Sequence, residues 1–251
     1  MSSSVRGVIL CGGKGKRLRP LTYYFQKTMI PVGSLQKPLL EYVVRLLRYH
    51  NVRDIVMLVD YKAEQIINYF GDGSRFNVRV RYIKDDPKYA GNAGALFNAY
   101  LKGALEGART VLIYYGDILS NIDLTELLRM HEERKAAATL ALSPNYAVSV
   151  GVARVVNGRV VDLVEKPPLG KPVAIGVLAL DYSKIPLIEG ILREKGSADI
   201  MGDLIPHLIR RGEEVCAFLT DAFWYDVGST EKYEKLDNRL VDEILSYLLE
   251  D

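Results

Sequence analysis

The chain of 251 residues contains little cysteine and little histidine. Its two cysteines, Cys11 and Cys216, are too few and too far apart to build a disulfide framework or a zinc site. The three histidines, His50, His131 and His207, are scattered and show neither metal-ligand nor catalytic-triad spacing. These shortages exclude the disulfide-rich and zinc-dependent classes, and they favour a reduced, cytoplasmic protein.

The sequence also lacks long apolar runs and a large net charge of either sign. No stretch of about twenty uninterrupted apolar residues occurs, and the N-terminus lacks the pattern of a signal peptide, so we expect no membrane association. A net charge of +2 gives no reason to expect nucleic acid as a partner. With 49% hydrophobic and 25% charged residues, the chain can bury a sizeable core in one α/β domain.

The spacing of apolar residues predicts alternating strands and helices. In the first half, the predicted segments are helices at 37–50 and 63–70 and strands at 54–59 and 78–83. In the second half, they are strands at 172–180 and 214–219, a mainly helical stretch at 182–211 and one closing helix at 230–249. Such alternation predicts a largely parallel sheet that binds ligands at the carboxyl ends of its strands.

A glycine-rich loop follows the apolar run at residues 8–10. Gly12, Gly13 and Gly15 allow backbone N–H groups to surround an anion with no Cβ in the way. The basic residues near this loop are Lys14, Lys16, Arg17, Arg19 and Lys27. The spacing fits neither a Walker A loop nor the dinucleotide fingerprint, which would need glycine where Leu18 stands. The loop therefore predicts a phosphate site of another kind.

The loop and the segment after it resemble the signature of the sugar-phosphate nucleotidylyltransferases. That signature reads Gly-Gly-x-Gly-x-Arg-Leu-x-Pro-Leu-Thr and continues with a Lys shortly before a hydrophobic-Pro-Val step. The matching residues are Gly12, Gly13, Gly15, Arg17, Leu18, Pro20, Leu21, Thr22, Lys27, Pro31 and Val32. The resemblance implies a Rossmann-like α/β fold, with a mixed, mainly parallel sheet, helices on both faces and an inserted β-hairpin.

The same resemblance implies one nucleotidylyltransferase domain over residues 1–251. Residues 1–120 are expected to form mainly the nucleotide-binding half, residues 121–228 mainly the sugar-phosphate-binding half, and residues 229–251 a C-terminal helix. Some relatives carry a left-handed β-helix of hexapeptide repeats, and no such repeat is visible here. We therefore expect the catalytic domain nearly alone.

Residues 91–96 resemble the family's Gly-Thr-Ala-Gly-Ala-Leu loop, which packs on the nucleotide base. Asn92 departs from the usual Thr, although either residue can cap the following helix, and an ordinary Asn-capped helix would show the same pattern. The acidic or Gln residue that reads the base edge in relatives corresponds to Asp85 or Asp86. The nucleotide-binding residues implied by the resemblance are Leu10, Gly12, Gly13, Gly15, Arg17, Gly91 and Asn92.

Two aspartates resemble the family's magnesium ligands. Asp117 follows a predicted buried strand and begins a stretch similar to Gly-Asp-x-Leu-x-Asn/Asp-Ile-Asp-Leu, whereas Asp123 fits better as the cap of the next helix. Asp226 lies in a stretch similar to the late signature Trp-x-Asp-hydrophobic-Gly-Ser/Thr. The resemblance implies that Asp117 and Asp226 hold Mg²⁺, either one ion or two.

An Asn-Gly pair at 157–158 predicts a two-residue hairpin turn. Pairing outward from this turn places Gly151 opposite Val164, so Gly151, Glu165 and Lys166 meet at the open end of the hairpin. On their own, Glu165 and Lys166 would be expected to face solvent. In the family, the Glu binds sugar hydroxyls, the Lys binds the sugar's phosphate, and the Gly permits close approach to a backbone N–H.

The resemblance implies Mg²⁺-dependent transfer of a nucleotidyl group from a nucleoside triphosphate to a sugar 1-phosphate. It assigns catalytic roles to Arg17, Lys27, Asp117, Lys166 and Asp226. The first interpretation of the substrates is GTP, or dTTP or UTP, with mannose or glucose 1-phosphate. A catalytically silent nucleotide-sugar-binding subunit and a transferase acting on a non-sugar phosphate remain alternatives. Relatives commonly associate, so a homo-oligomer also remains open.

Overall fold

The structure, a computed structural model, describes residues 5–250. Residues 1–4 and 251, at the two ends of the predicted domain, lie outside the described residues. The strands are β1 (Val5–Leu10), β2 (Pro31–Val32), β3 (Lys37–Pro38), β4 (Asp54–Val59), β5 (Arg79–Lys84), β6 (Thr110–Tyr115), β7 (Ile118–Ser120), β8 (Ala138–Ser143), β9 (Val152–Val156), β10 (Arg159–Val164), β11 (Val173–Asp181), β12 (Val215–Leu219) and β13 (Trp224–Asp226). The α-helices are α1 (Leu39–Tyr49), α2 (Ala63–Phe70), α3 (Asn92–Leu101), α4 (Leu124–Arg134), α5 (Ile188–Lys195), α6 (Ile205–Arg210), α7 (Thr230–Glu234) and α8 (Asn238–Leu245).

A seven-stranded sheet in the order β12-β8-β11-β6-β1-β4-β5 forms the centre of the molecule. Parallel pairing joins β6, β1, β4 and β5, and it also joins β12 to β8. Only β11 among these seven strands is antiparallel to its neighbours, β6 and β8. The sheet is therefore mixed and mainly parallel, as the sequence predicts.

Helices cover both faces of the sheet, and this explains why its inner strands are apolar throughout. Successive residues of a strand point to opposite faces. Accordingly, Ile9 and Met57 belong to the core under α1, α2, α4 and α8, whereas Val8 and Val56 belong to the core under α3, α5 and α6. All four side chains are fully buried.

The order of the strands brings several loops to one edge of the sheet. Leu10, at the end of β1, lies beside Tyr115, at the end of β6, so the glycine-rich loop and Gly116 start next to each other. Leu10 also pairs with Leu58 of β4, and Val59 pairs with Lys84 of β5. The loops after β1, β4, β5 and β6 therefore surround one region at the carboxyl edge.

Most of the predicted elements are confirmed, but the prediction of one continuous closing helix is wrong. The strand predicted at 54–59 and the helix predicted at 63–70 have their observed limits. The closing helix is instead divided into α7, α8 and a final 3₁₀ turn. The division occurs because the Asp237 carboxylate accepts hydrogen bonds from the backbone N–H groups of Arg239 and Leu240 and thereby starts a new helix.

The predicted hairpin is confirmed as β9 and β10, but its predicted register is off by one residue. Asn157 and Gly158 both have positive φ, as a type I′ turn requires. A bulge between Val160 and Asp162 inserts one residue, so Val164 pairs with Val152 and not with Gly151. Both strands are exposed along their whole length.

No helix within residues 5–250 is both long enough and apolar enough to cross a membrane.

Candidate active site

A cavity of about 480 Å³ lies at the carboxyl edge of the sheet. It opens among the loops that follow β1, β4, β5 and β6. Of the residues predicted to form the site, Leu10, Gly12, Gly13, Lys27, Gly91, Asn92 and Asp117 line this cavity. Its other charged lining residues are Lys14, Asp60, Asp85 and Asp86.

The glycine-rich loop is anchored where it leaves β1. The Cys11 N–H donates to the Leu58 carbonyl over 2.9 Å, which continues the sheet one residue beyond β1. The side-chain amide of the fully buried Gln26 donates to the Cys11 carbonyl. A Cβ placed on Gly13 would meet no atom within 4 Å. The loop therefore offers an open backbone surface at a fixed position.

Lys27 and Asp117 form an ion pair on the cavity wall. The Lys27 ammonium contacts the Asp117 carboxylate, and each side chain keeps 17% of its surface exposed. Gly116 lets the chain before Asp117 lie close to β1 and to the residue after Lys27, because a Cβ there would lie 2.9 Å from the Leu10 carbonyl oxygen and 3.1 Å from Thr28 Cγ2. The pair is preformed and still accessible to a ligand.

Asp226 lies on the strand next to Asp117. In the antiparallel pair β13 and β7, Asp226 is the partner of Ile118, and the Val227 N–H donates to the Asp117 carbonyl over 3.0 Å. The Asp226 carboxylate contacts the Lys232 ammonium at 2.5 Å. Arg17 approaches the same point, since its Nη2 lies 3.2 Å from where a Cβ of Gly228 would be. Arg17 and Asp226 thus both lie near Gly228, and neither of them lines the cavity.

The carboxylates of Asp117 and Asp226 are oxygen donors of the kind that a hard divalent cation shared with a substrate takes. No cluster of three or more His, Cys, Asp or Glu side chains suited to a metal is present between residues 5 and 250. Mg²⁺ needs no such cluster, because it is commonly held by one or two carboxylates together with substrate phosphates and water. Asp117 and Asp226, on paired strands beside a glycine loop, supply that oxygen donor set.

Gly91 and Asn92 fix the loop that enters α3. Gly91 has φ +87°, and a Cβ there would lie 2.2 Å from the Ala198 carbonyl oxygen. The alternative of an ordinary Asn-capped helix is excluded, because Gly91 occupies the capping position of α3 and no side chain caps the helix. The Asn92 side chain instead donates to Asp199 over 2.7 Å and accepts from the Ile200 N–H over 2.7 Å. Its role is to hold the loop against residues 197–200.

Asp85 is the acidic residue that points at the glycine loop. Its Oδ2 lies 2.5 Å from the position of a Gly12 Cβ, and its buried Oδ1 has no hydrogen-bond partner among residues 5–250. Burial, assisted by the neighbouring Asp60 charge, raises the pKa of Asp85 to about 6. Asp86 instead accepts from the Lys88 N–H in a local turn. The sequence alone offered no reason to choose between Asp85 and Asp86, whereas in the structure their carboxylates have different surroundings.

The residues predicted to bind the sugar phosphate meet at the base of the hairpin, outside the cavity lining. A Cβ on Gly151 would lie 2.9 Å from Glu165 Oε2, so these two residues are neighbours in spite of the shifted register. Lys166, which follows Glu165, adopts a positive φ of 49°. Tyr146 stacks on Trp224 with ring centroids 6.2 Å apart, which joins the hairpin base to the strand that carries Asp226.

Sequence reasoning missed two residues of the site. Tyr115, the last residue of β6, lines the cavity and accepts a hydrogen bond from Asn92 Nδ2 at 3.2 Å. Its place directly before Gly116-Asp117 was the available signal. Lys232 lies in the five-residue helix α7, six residues after Asp226. No sequence pattern indicates that it belongs to the site.

Fold and cavity together define an α/β protein with a cavity at the carboxyl edge of a mixed sheet. The family model of the nucleotidyl transferases matches residues 6–243. The chain belongs to this family, and its similar relatives are sugar-phosphate nucleotidylyltransferases, as the signature residues indicate.

Two curated relatives illustrate the range of the family. A UTP–glucose-1-phosphate uridylyltransferase of Synechocystis is 32% identical over 249 residues, which cover 91% of this chain and 61% of that protein. A mannose-1-phosphate guanylyltransferase of Mycobacterium tuberculosis is 28% identical over 240 residues, covering 91% of this chain and 62% of the relative. The chain therefore spans less than two thirds of the length of either protein.

A solved structure has the same fold. It is a Bacillus anthracis protein assigned as a glucose-1-phosphate thymidylyltransferase and solved in complex with a sucrose. The TM-score is 0.76 at 24% identity, and the alignment covers 96% of each chain. At this identity the likeness establishes the mixed α/β fold.

Proposed function

We propose that this chain transfers a nucleotidyl group from a nucleoside triphosphate to a sugar 1-phosphate and releases pyrophosphate. The observation that carries the proposal is the grouping at the cavity: an open glycine loop, the Lys27–Asp117 pair, and Asp226 on the adjoining strand. These groups are the ones needed to hold a triphosphate and to stabilise charge at its α-phosphorus. Family membership supports the same reaction class.

The reaction is an in-line displacement at the α-phosphorus. An oxygen of the sugar phosphate forms a bond to this phosphorus, and the bond to the β-phosphate oxygen breaks, so pyrophosphate leaves with the electron pair. No general base is required, because a phosphate monoester with a second pKa of about 6 is mostly dianionic at neutral pH. The protein therefore has to supply positioning and charge stabilisation.

Each predicted residue receives a role in this step. The backbone of Leu10, Gly12, Gly13 and Gly15 and the Arg17 guanidinium hold the triphosphate, whereas Gly91 and Asn92 shape the wall against the base. Lys27 leaves Asp117 and neutralises the α-phosphoryl group as charge builds up there. Asp117 and Asp226 would hold Mg²⁺, which when bound neutralises phosphate charge and aligns the reacting groups.

The acceptor is proposed to bind at the base of the hairpin. Glu165 accepts hydrogen bonds from sugar hydroxyls, and Gly151 leaves its own N–H accessible beside it. Lys166 anchors the attacking phosphate. Because Tyr146 stacks on Trp224, two residues before Asp226, the proposed acceptor site adjoins the strand that carries Asp226. A polyhydroxyl acceptor suits Glu165 better than a non-sugar alcohol phosphate does.

Asp85 favours guanine as the base. An ionised carboxylate accepts two hydrogen bonds, and the Watson–Crick edge of guanine presents two adjacent donors, N1–H and N2–H. Uracil and thymine present one donor between two acceptors, so one carboxylate oxygen would face an acceptor. Asp85 lines the cavity, and its buried Oδ1 has no hydrogen-bond partner among the described residues. The first choice of substrates is accordingly GTP with mannose 1-phosphate.

A silent nucleotide-sugar-binding subunit is the second candidate. Its support is that Lys27 and Asp117 neutralise each other in the free protein, as they could in a binding site that performs no chemistry. A binder would have no use for Asp226 beside them, so the enzyme remains the proposal.

Pyrophosphate release tests the proposal. The purified protein is incubated with Mg²⁺, one of five nucleoside triphosphates and one of a panel of sugar 1-phosphates. We expect release that requires one base and one sugar and that is lost in Asp117→Asn. Asp123→Asn is the matched control, because Asn also caps helices well and this position is outside the cavity. Tight binding of a nucleotide sugar with no release from any pair would support the silent subunit.

A further inference from the structure

The short helix α7 is fastened to the signature loop. The Thr230 hydroxyl is 3.2 Å from each of the carbonyl oxygens of Arg17 and Arg19, to which it donates. Ser229 caps α7, since its side chain accepts from the Lys232 N–H. The Tyr225 hydroxyl donates to the Lys232 carbonyl over 2.7 Å and fixes the helix against β13. The Lys232 backbone is therefore held at a defined place next to Arg17.

The Lys232 side chain reaches a candidate metal ligand. Its ammonium lies 2.5 Å from Asp226 Oδ2, and the two side chains keep 46% and 25% of their surface exposed. Arg17 approaches the same carboxylate from the signature loop, because Arg17 Nη2 and Asp226 Oδ1 both lie close to the Gly228 Cα, at 3.2 Å and 2.7 Å from the point where a Cβ would be. Lys232 thus pairs with the Asp226 carboxylate while Arg17 lies close by, so two cations and one carboxylate give this group an excess positive charge.

This excess charge faces the part of the site where a triphosphate would end. The glycine loop and Lys27 are at the cavity wall, and Arg17 continues from that loop towards Asp226. A triphosphate whose α-phosphorus is near Lys27 would extend its β- and γ-phosphates along the loop towards Arg17. Lys232 adjoins this path, because its ammonium contacts the Asp226 carboxylate near which Arg17 lies.

We propose that Lys232 binds the β- and γ-phosphates, that is, the departing pyrophosphate, and that Asp226 holds its ammonium in place until they arrive. The inference rests on the proposed function. An exposed ion pair of this kind contributes little net stability, so the ammonium exchanges partners readily. A cation at Asp226 and the Lys232 ammonium compete for the same oxygen. With a divalent cation at the Asp226 carboxylate, the four-carbon stem of Lys232 would allow the ammonium to turn to the phosphates.

Equilibrium binding to the free protein tests this exchange without requiring turnover. Pyrophosphate affinity is measured by calorimetry in the presence of Mg²⁺. Mg²⁺ affinity is measured in a separate titration without pyrophosphate. The signal is the fluorescence of Trp224, the single tryptophan, which lies two residues before Asp226. The variants are Lys232→Met and Lys232→Arg. The control is Lys235→Met, because Lys235 is 69% exposed and pairs with Glu231 on the same helix.

Lys232→Met should bind pyrophosphate about tenfold more weakly, as expected for the loss of one charge-assisted contact. It should bind Mg²⁺ about threefold more tightly, because the competing cation is gone. Lys232→Arg should restore most of the pyrophosphate affinity, and Lys235→Met should match the wild type in both measurements. Equal pyrophosphate affinity in Lys232→Met and wild type would overturn the inference while leaving the proposed function intact. A wild-type protein that binds neither Mg²⁺ nor pyrophosphate would refute both.

Discussion

Replacing Asp85 with Asn should change the base preference of the enzyme. The substitution keeps the shape of the side chain and exchanges one acceptor oxygen for an NH₂ donor. In the wild type, both carboxylate oxygens are acceptors, and the buried Oδ1 has no partner among the described residues. Asn would set one donor and one acceptor against the base. This arrangement is unfavourable for guanine, which presents two donors, and it matches the O4 acceptor and the N3–H donor of uracil or thymine.

The size of the change follows from the two hydrogen bonds concerned. A bidentate contact to a base edge provides about 1–3 kcal/mol of discrimination, which is about 5- to 150-fold in affinity. The preference for GTP over UTP should therefore fall at least about tenfold in Asp85→Asn, because GTP should bind more weakly and UTP should bind more tightly. The turnover number should change less, because Asp85 is proposed to contact the base and not the α-phosphoryl group.

The assay is kcat/KM for GTP, UTP and dTTP, measured by pyrophosphate release with one sugar 1-phosphate. Asp86→Asn is the control, since Asp86 accepts from the Lys88 N–H in a local turn and should leave base preference unchanged. If Asp85→Asn kept the wild-type order of the three nucleotides, the assignment of Asp85 to the base would be refuted.

The same residue gives a pH dependence. Guanine binding needs the ionised carboxylate, and burial raises the pKa of Asp85 to about 6. The KM for GTP in the wild type should therefore rise as the pH falls through about 6, as the carboxyl gains its proton. In Asp85→Asn the KM for GTP should stay flat over the same range. A wild-type KM that stayed equally flat would show that no group with this pKa contacts the base.

Three further substitutions give separable results. Lys27→Ala should lower kcat about 10²- to 10³-fold with little change in the KM values, because its ammonium acts mainly on charge that develops in the transition state; a near wild-type kcat would remove it from the mechanism. Gly91→Ala should lower the free energy of unfolding by about 1–3 kcal/mol in urea denaturation, because φ is +87° and the new Cβ would meet the Ala198 carbonyl; unchanged stability would contradict this contact. Glu165→Gln should raise the KM for the sugar 1-phosphate about tenfold and leave that for GTP unchanged; the reverse pattern would move Glu165 to the nucleotide.

The placement of the nucleotide loop could be predicted because parallel strands end at one edge. Gly12 and Asp117 each follow a buried apolar strand, so their convergence needed only the prediction that these strands are parallel. The choice between Asp85 and Asp86 could not be made in this way. Neighbouring residues at a strand end differ in direction, and the direction depends on where β5 stops and its turn begins.

Other features depended on local chemistry that apolar spacing does not capture. The register of the hairpin was predicted wrongly because a bulge at Val161 inserts one residue without any glycine or proline to mark it. The closing helix was predicted as continuous because its apolar stripe resumes after the break that Asp237 causes. The contact between Lys232 and Asp226 depends on the turn between β13 and α7, so it could be found only in the fold.

The position of attack tests the central claim most directly. Sugar 1-phosphate labelled with ¹⁸O at the three non-bridging oxygens of its phosphate is converted with the preferred nucleoside triphosphate, and both products are analysed by mass spectrometry. Attack on the α-phosphorus predicts that all three labelled oxygens are retained in the nucleotide sugar and that the released pyrophosphate carries none. Label in the pyrophosphate, or release of inorganic phosphate in its place, would contradict nucleotidyl transfer by this site.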